Sequence, residues 1–258
     1  MKASIIITNY NKSFYLEKCI KSCFEQTYKN IEIILFDDCS NDGSNKIYNK
    51  FRKKLKIFEN KKKKFTSFSQ NQLYGIYKSF LISKGDVIFL LDGDYYFKKD
   101  KINKIIKYFK NDNIKFIQDT PNTELIKIKK NKYLSNIKYY FRLWPKFYNT
   151  STICIRKQLL KDFFSFIKIN EYSYLEIDAQ LSIYSYYKNY YKKTNYCGTV
   201  YTRVNNGIFS LTRKFSVNWW KKRNEAFNFV NKIIKLNSFK IYLNLDFVVT
   251  KLINLFLK

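Results

Sequence analysis

The sequence contains no histidine, and its five cysteines form no CxxC pair. Zinc sites are built mainly from histidine and cysteine, so a zinc centre is not supported. Glycine is also scarce, with six residues in a chain of 258. No GxGxxG follows the first predicted strand, and no GxxxxGK(S/T) occurs. These absences argue against a Rossmann dinucleotide site and against a P-loop.

Long hydrophobic runs are missing as well. No stretch reaches the length of a transmembrane helix. No secretory signal is visible, because Met1 and Lys2 lead directly into a predicted strand. We therefore expect a protein that is made and kept in the reducing cytoplasm.

Acidic residues are few compared with basic ones. The chain has 20 Asp and Glu against 49 Lys and Arg, a formal net charge of +29. Such a balance attracts polyanions, namely nucleic acid, anionic lipid surfaces or phosphorylated substrates. It can also reflect a coding bias, because Lys, Asn, Ile, Tyr and Phe are abundant together. The hydrophobic content of 46% indicates a globular rather than a disordered chain.

Strands and amphipathic helices alternate over the first 120 residues. The predicted strands are Ala3 to Ile7, Ile31 to Phe36, Leu55 to Phe58, Val87 to Leu91 and Ile114 to Gln118. The predicted helices are Lys12 to Gln26, a segment through about Arg52, Ser69 to Ser83, and a segment with Ile102 and Phe109. This order is typical of a doubly wound, mostly parallel α/β sheet.

The segment from Val87 to Asp94 ends a continuous apolar run with two carboxylates, Asp92 and Asp94, on either side of a glycine. In extended backbone, residues two apart point to the same side. Two such charges need a cation between them or one raised pKa. Oxygen ligands favour Mg²⁺ or Mn²⁺. A lone Asp-x-Asp is also common in solvated turns, so the rest of the chain must decide.

The pattern is weaker after residue 120. Ser151 to Ile155 is predicted to form a strand that leads into a short helix. Leu175 to Tyr191 is predicted to form a helix, with Glu176 and Asp178 in its first turn. A late strand is expected at Cys197 to Val204.

Two helices are expected from Phe215 to the end. The apolar residues of the second fall mostly on one face: Ile241, Leu245, Val248, Val249, Leu252, Leu255 and Phe256. Basic residues accompany that face: Lys235, Lys240, Lys251 and Lys258. The face can pack on the domain or lie on an anionic membrane surface as an amphipathic helix.

Polar residues follow three of the predicted strands. They are Thr8 to Asn11 after the first, Asp37 and Asp38 after the second, and Asp92 and Asp94 after the fourth. The carboxyl ends of parallel strands meet in one crevice, so we expect these residues to converge. Thr8 and Asp38 could hydrogen-bond a base or a ribose, and Tyr10 could offer a stacking face.

Three segments in this order resemble the family 2 glycosyltransferases of the GT-A fold, which transfer sugars from nucleotide donors. Residues 4–11 (SIIITNYN) resemble the family's opening strand, and residues 36–44 (FDDCSNDGS) resemble its VDDGSxDGS segment. Residues 84–94 resemble its xG(E/D)xIxFLDxD segment. The resemblance is dense over residues 3–110 and thin over 140–205, and it outweighs the solvated-turn interpretation of Asp92 and Asp94.

The resemblance implies roles for individual residues. The implied contacts of the donor base and ribose are Thr8, Asn9, Tyr10 and Asp38. Asp92 would touch the ribose or the metal, and Asp94 would be the direct ligand of Mn²⁺ or Mg²⁺. The family's catalytic base matches Asp178, with Glu176 second, although acids in a first helical turn are also favourable through the helix dipole alone. Arg203 would lie near the diphosphate.

The implied activity is an inverting transfer of a sugar, with a UDP-sugar as the favoured donor. A glycan or lipid-linked acceptor in cell-surface polysaccharide synthesis would fit, as would a peripheral position on the inner face of the cytoplasmic membrane. We expect residues 1–120 to hold the donor, 121–210 to hold the acceptor and the base, and 211–258 to form basic amphipathic helices.

Two other interpretations fit less of the sequence. A nucleic-acid-binding module accounts for the charge but not for three acidic strand ends in one crevice, so we expect no nucleic-acid partner. A nucleotidyltransferase on a related sheet also uses paired carboxylates and a metal. Its usual glycine-rich basic loop near the first strand is absent here.

Overall fold

The structure is a computed structural model that describes residues 1–122, 143–202, 213–234 and 244–257. Its strands are β1 (Ala3–Asn9), β2 (Ile31–Asp37), β3 (Lys56–Glu59), β4 (Val87–Asp92), β5 (Tyr95–Phe97), β6 (Phe116–Gln118), β7 (Pro121–Asn122), β8 (Ile153–Arg156), β9 (Tyr191–Lys193) and β10 (Thr199–Tyr201). Its helices are α1 (Ser13–Phe24), α2 (Ser44–Asn49), α3 (Phe68–Ile82), α4 (Lys101–Ile106), α5 (Lys157–Phe166), α6 (Ile177–Tyr187), α7 (Val217–Ile234) and α8 (Leu245–Phe256).

The main sheet has seven strands in the order β3-β2-β1-β4-β8-β6-β9. The first four of these neighbours are parallel, and β8 runs antiparallel to both β4 and β6. The predicted α/β class with a mostly parallel sheet is confirmed. Strands from both sides of residue 120 share this sheet, and the expected division at residues 120 and 210 stays a prediction.

Helices cover both faces of the sheet, and each strand sends alternate side chains to opposite faces. Ile6 and Ile88 belong to a core shared with α3, α5, α6 and α7. Ile5 and Phe89 belong to a second core that includes α1 and α4. Both faces of the sheet are therefore shielded from water, and for this reason these strands consist of continuous runs of apolar residues.

The helix predicted over Leu175 to Tyr191 is shorter in the structure. It ends at Tyr187, and Asn189 adopts a left-handed conformation with φ of 60°. The N–H of Tyr190 donates to the carbonyl of Ser185 at 2.8 Å. The N–H of Asn189 donates to the carbonyl of Tyr186 at 3.0 Å. This is the Schellman arrangement, in which an asparagine ends a helix and releases the chain into another direction. The last predicted helical residue begins β9 instead.

A second sheet of three short strands, β5-β10-β7, lies beyond the carboxyl end of β4. We did not predict β5, β7 or β9, because strands of two or three residues carry too little alternation to be recognised. The late strand predicted at Cys197 to Val204 is present as β10, with residues 203 and 204 outside the described part.

The amphipathic helix predicted near the end is present as α8. Its apolar face does not pack on the domain, which was one of the two expectations. Phe247 of α8 contacts Phe227 of α7 with ring centroids 5.3 Å apart, and Asn254 donates to the carbonyl of Trp220 at 3.2 Å. The two helices therefore run in opposite directions. The predicted apolar face, apart from Ile241 outside the described residues, points away from this contact. Over the described ranges, no helix has both the length and the apolar character needed to cross a bilayer.

A fully buried ion pair connects the two sheets. The ammonium of Lys101 on α4 lies 2.9 Å from the Asp119 carboxylate, and neither side chain is exposed. The same ammonium donates to the carbonyl of Ser151 at 3.0 Å and to Thr199 Oγ1 at 2.5 Å. Asp119 also accepts the N–H of Gly198 at 2.9 Å. These contacts hold the segment before β8 against β10.

Replacing Lys101 by Met should leave the Asp119 carboxylate buried without its cation. Removing one member of a buried pair costs about 3–5 kcal/mol, so the free energy of unfolding in urea should fall by roughly that amount. Lys104→Met is the control, because Lys104 pairs with Asp100 on the surface with a side chain that is 53% exposed. That variant should lose less than about 1 kcal/mol. Equal losses in the two variants would contradict a structural role for the buried pair.

Candidate active site

The expected convergence of strand ends is present at Asp92, the last residue of β4. Thr8 of β1 lies directly opposite Asp92 in the parallel register, and its Oγ1 donates to Asp92 Oδ1 at 3.0 Å. Gln72 of α3 donates to the same oxygen at 2.6 Å, and Ser151 Oγ lies 3.1 Å from Oδ2. Gln72 and Ser151 were not predicted as site residues, because they lie on other elements and become adjacent to Asp92 only in the fold.

Burial raises the pKa of Asp92 to about 6, and the nearby charge of Asp94 adds to the effect. The hydrogen bonds from Thr8 and Ser151 act in the opposite direction, because they stabilise the ionised form. Asp92 is therefore a partly buried acid whose charge depends on the donors around it.

Asp94 does not continue the strand as we expected. It lies in the turn between β4 and β5, so the same-side argument from extended backbone was wrong, although the two acids remain close enough to interact. Gly93 lets the turn lie close to Asn9, since a Cβ at this residue would come within 2.7 Å of Asn9 Oδ1. The ammonium of Lys12 lies 2.7 Å from Asp94 Oδ2.

These two acids fit part of a divalent metal site. They are like charges that repel each other, and Asp94 already attracts a cation in Lys12. Among the residues that the structure describes, no group of three or more acidic, cysteine or histidine side chains could hold a metal. A bound Mg²⁺ or Mn²⁺ would therefore need its other ligands from substrate phosphates and water, as is usual for Mg²⁺.

Asn9 is buried and turned toward the loop that follows β2. Its Nδ2 donates to Asp37 Oδ1 at 2.6 Å and to Ser40 Oγ at 3.1 Å. Ser40 in turn donates its backbone N–H to Asp37 Oδ2 at 2.9 Å. The side-chain amide of Asn9 thus orders this loop, and its expected contact with a donor stays a prediction.

Asp38 and Tyr10 both lie near Lys63. Asp38 is buried, which raises its pKa, while Asn60 donates to its Oδ1 at 3.1 Å. The Lys63 ammonium lies 3.8 Å from the centroid of the Tyr10 ring, and its charge lowers the pKa of Asp38. The Tyr10 ring also packs against the Phe68 ring, with the two ring centroids 5.7 Å apart. Lys63 therefore belongs to this part of the crevice.

Glu176 and Asp178 lie at the start of α6, as predicted. Asp178 is buried, and burial raises its pKa to about 7, followed by the charge of Glu176. The charge of Asp92 at the end of β4 raises the pKa of Asp178 further, so the two carboxylates are close enough to interact. Glu176 forms an ion pair with Lys222 of α7, and the Lys222 charge lowers the pKa of Asp178.

Tyr95, the first residue of β5, lies among the acids of the site. After burial, the charges of Asp92, Asp94 and Asp178 all raise its pKa. Its ring lies 4.7 Å from that of Tyr201, and its hydroxyl accepts the side-chain amide of Asn149 at 2.9 Å. The two carboxylates at β4 and the acid on α6 therefore all lie near Tyr95. The predicted Arg203 lies outside the described residues.

Helix α7 holds the segment that leads into α6. The Glu225 carboxylate accepts three successive backbone N–H groups, from Ser173 at 3.0 Å, Tyr174 at 2.8 Å and Leu175 at 2.7 Å. Together with the Lys222 pair, this contact positions Asp178. We predicted no role for Glu225, because it lies about fifty residues from this segment along the chain.

Glu225→Gln should loosen this segment, because an amide oxygen is a weaker acceptor than a carboxylate and cannot receive three N–H groups equally well. We expect amide hydrogen exchange of residues 173–175 to accelerate by about tenfold, the equivalent of about 1.4 kcal/mol. Mass spectrometry of exchanged peptides measures this. Glu17→Gln, at an exposed acid on α1, is the control. Unchanged exchange in Glu225→Gln would argue against its role as an anchor.

Comparison with known proteins gives consistent results. The family model described as glycosyl transferase family 2 matches residues 4–176. An uncharacterized glycosyltransferase of Haemophilus influenzae is 36% identical over 108 residues, 41% of each chain. The UDP-Glc:alpha-D-GlcNAc-diphosphoundecaprenol beta-1,3-glucosyltransferase WfaP of Escherichia coli is 33% identical over 114 residues, 44% of this chain and 43% of that one. The aligned part thus spans less than half the length of these curated relatives.

Solved structures with the same fold include S. aureus TarS 1-349 in complex with UDP-GlcNAc. It aligns with a TM-score of 0.64 at 15% identity and covers 97% of this chain and 79% of that one. Mannosyltransferase PcManGT from Pyrobaculum calidifontis, in complex with GDP-Man and Mn²⁺, aligns with a TM-score of 0.60 at 12% identity, over 92% of this chain and 65% of that one. At such identities the likeness concerns the GT-A fold alone. With the match over residues 4–176, the chain belongs to glycosyl transferase family 2.

Proposed function

We propose that this glycosyltransferase moves a sugar, with inversion, from a nucleoside-diphosphate sugar to a hydroxyl of a glycan or lipid-linked acceptor. The observation that carries the proposal is that α3 contacts both acid-bearing segments. Gln72 donates to Asp92 Oδ1 at 2.6 Å, and Gln70 donates to the carbonyl of Asn170 at 3.0 Å and to Ser173 Oγ at 3.2 Å, in the segment that leads to Asp178. Asp178, the proposed proton acceptor, and Asp92, the acid proposed to lie near the donor, then border the same space. Such a space suits the two reactants of a direct displacement.

In the proposed step, the acceptor oxygen bonds to the anomeric carbon while the bond from that carbon to the diphosphate breaks. The hydroxyl proton passes to the Asp178 carboxylate, and the electron pair leaves with the nucleoside diphosphate. Attack from the face opposite the leaving group inverts the configuration. Burial supports this role of Asp178, because it raises the pKa to about 7, close to the value that favours a general base at neutral pH.

A divalent ion, when bound, would offset the negative charge that develops on the leaving diphosphate. Asp94 is the residue that would hold it, with Asp92 beside it. The two oxygens of Asp92 already accept from Thr8, Gln72 and Ser151. These donors favour a role for Asp92 in orienting the ribose and the turn rather than in direct ligation.

We propose that the donor nucleotide lies between Thr8, Tyr10 and Asp38. Lys63, near Tyr10 and Asp38, would border the nucleotide on that side. Arg203 remains the predicted contact of the diphosphate. UDP is favoured because WfaP is named for a UDP-Glc donor and TarS is in complex with UDP-GlcNAc. PcManGT with GDP-Man makes GDP the second donor to test.

We propose that the acceptor is an intermediate in the synthesis of a cell-surface polysaccharide and that the transfer takes place in the cytoplasm. Support comes from WfaP, whose name describes a diphosphoundecaprenol-linked acceptor, and from the putative teichuronic acid biosynthesis glycosyltransferase TuaG of Bacillus subtilis. TuaG is 28% identical over 108 residues.

Calorimetric titration of UDP with and without Mn²⁺ tests the donor site. We expect binding by the native chain that strengthens with Mn²⁺, and we expect Asp94→Ala to lose the Mn²⁺-dependent part. Asp112→Ala is the control, because Asp112 is an exposed acid paired with Arg156. If GDP binds and UDP does not, the preference for UDP is wrong. If Asp94→Ala retains the full Mn²⁺ effect, Asp94 is not the ligand.

Asp178→Asn tests the base. Loss of a general base should lower kcat by about 10²–10⁴-fold, while UDP binding persists. Because the base must be ionised and its pKa is raised to about 7, the native kcat/KM should fall as pH drops below about 7. Glu176→Gln should keep most of the turnover. The opposite ranking of these two variants would transfer the role to Glu176.

A further inference from the structure

An apolar stripe lies exposed along α8, on the side away from α7. Its members are Leu245, Val248, Val249, Leu252, Leu255 and Phe256, whose exposed fractions range from 40% to 87%. The side that packs against the protein carries Phe247 and Thr250. Residues spaced by three and four share one face of a helix, so these side chains form a continuous surface rather than scattered exposure.

A further exposed apolar group lies at the beginning of α7. Asn254 of α8 bonds to the carbonyl of Trp220, which brings the end of α8 beside the start of α7. There, Phe215 is 72% exposed, and its ring lies 5.2 Å from Trp219 and 6.2 Å from Trp220. Phe215 has φ of 67°, a conformation that bulky residues rarely adopt. Its ring is thus held outward next to two half-buried tryptophans.

Positive charge surrounds this surface. Residues 213–234 and 244–257 contain seven Lys and Arg and two acids. Arg213 and Lys214 are exposed immediately before Phe215. One of the two acids, Asp246, pairs with Arg223, and the other is Glu225, which binds the segment before α6. Lys222 and Lys232 pair with Glu176 and Glu171 of other segments, so the exposed positive charge beside the apolar surface comes from Arg213 and Lys214.

We propose that this surface, made of the α8 stripe and the Phe215–Trp220 turn, docks on a bilayer that contains anionic lipids. Apolar side chains on one face, tryptophan and phenylalanine at the edge, and a basic rim are the composition that binds such an interface. A second copy of the chain is a poorer occupant, because each copy brings a formal charge of +29 to the contact. The docked helices lie in the interface and do not cross it.

The docking surface and the start of α6 border one cavity. A cavity of about 280 Å³ lies between α6 and α7. Ala179, next to Asp178, lines one part of it, and Trp219 of the docking surface lines another. The proposal nevertheless stands apart from the transfer reaction, because it concerns the lipid surface alone and is tested without donor or acceptor.

Sedimentation of the full chain with lipid vesicles tests the proposal. One set of vesicles is phosphatidylcholine alone, and the other contains about one third phosphatidylglycerol to supply negative charge. We expect the native chain to bind the anionic vesicles at least about tenfold more tightly than the neutral ones. The double variant Leu252→Ser, Phe256→Ser should bind the anionic vesicles about tenfold more weakly than the native chain.

The chain offers a matched control in Leu81→Ser, Phe14→Ser. Leu81 and Phe14 are 55% and 88% exposed on α3 and α1, against 53% for Leu252 and 87% for Phe256. This control should bind like the native chain. Arg213→Gln, Lys214→Gln should weaken binding to anionic vesicles, whereas Lys61→Gln, Lys62→Gln, at two exposed lysines elsewhere, should weaken it less.

Several results would overturn the proposal. If both apolar pairs change binding equally, adhesion is a matter of general charge and hydrophobicity and not of this surface. If the native chain binds neither kind of vesicle but forms a dimer that Leu252→Ser, Phe256→Ser abolishes, the surface is an interface between copies. Phe256→Ser alone, at a residue that is 87% exposed, repeats the test with little risk to folding.

Discussion

The arrangement of the site depends on the carboxylate of Asp92, an acid held at the dry end of a central strand. A buried charge is costly unless it is hydrogen-bonded, and here the donors come from three different elements through Thr8, Gln72 and Ser151. The carbonyl of Ser151 is in turn held by the buried ammonium of Lys101. The position of the acid at β4 is thus tied to α3, to the segment before β8 and to the second sheet.

The second constraint is the concentration of like charge around the crevice. Three lysines lie against these acids: Lys12 at Asp94, Lys63 near Asp38 and Lys222 at Glu176. They offset the repulsion among carboxylates that would otherwise oppose folding. The general excess of lysine hid these three in the sequence. Their partners distinguish them from lysines that are merely abundant.

Much of the first half followed from periodicity, because buried parallel strands and the helices between them have local signals. Other features depended on distant pairing. The insertion of β8 between β4 and β6 joins residues more than thirty apart, and the turn at Asp94 replaces the extended backbone that the spacing suggested. The end of α6 had a local signal in Asn189, since asparagine tolerates the left-handed conformation. The apolar residues that follow Asn189 concealed this signal.

By itself the sequence determined the class of fold, the strand ends that carry acids and the two acids at the start of α6, because each of these depends on residues close together along the chain. Only the tertiary structure decided which donors surround Asp92, that Glu225 anchors the segment before Asp178, and that the apolar face of α8 is exposed. These outcomes depend on burial and on contacts between distant segments. A pattern of polar and apolar residues indicates that a helix has an apolar face, but the face that packs is chosen by the surfaces available in the folded chain.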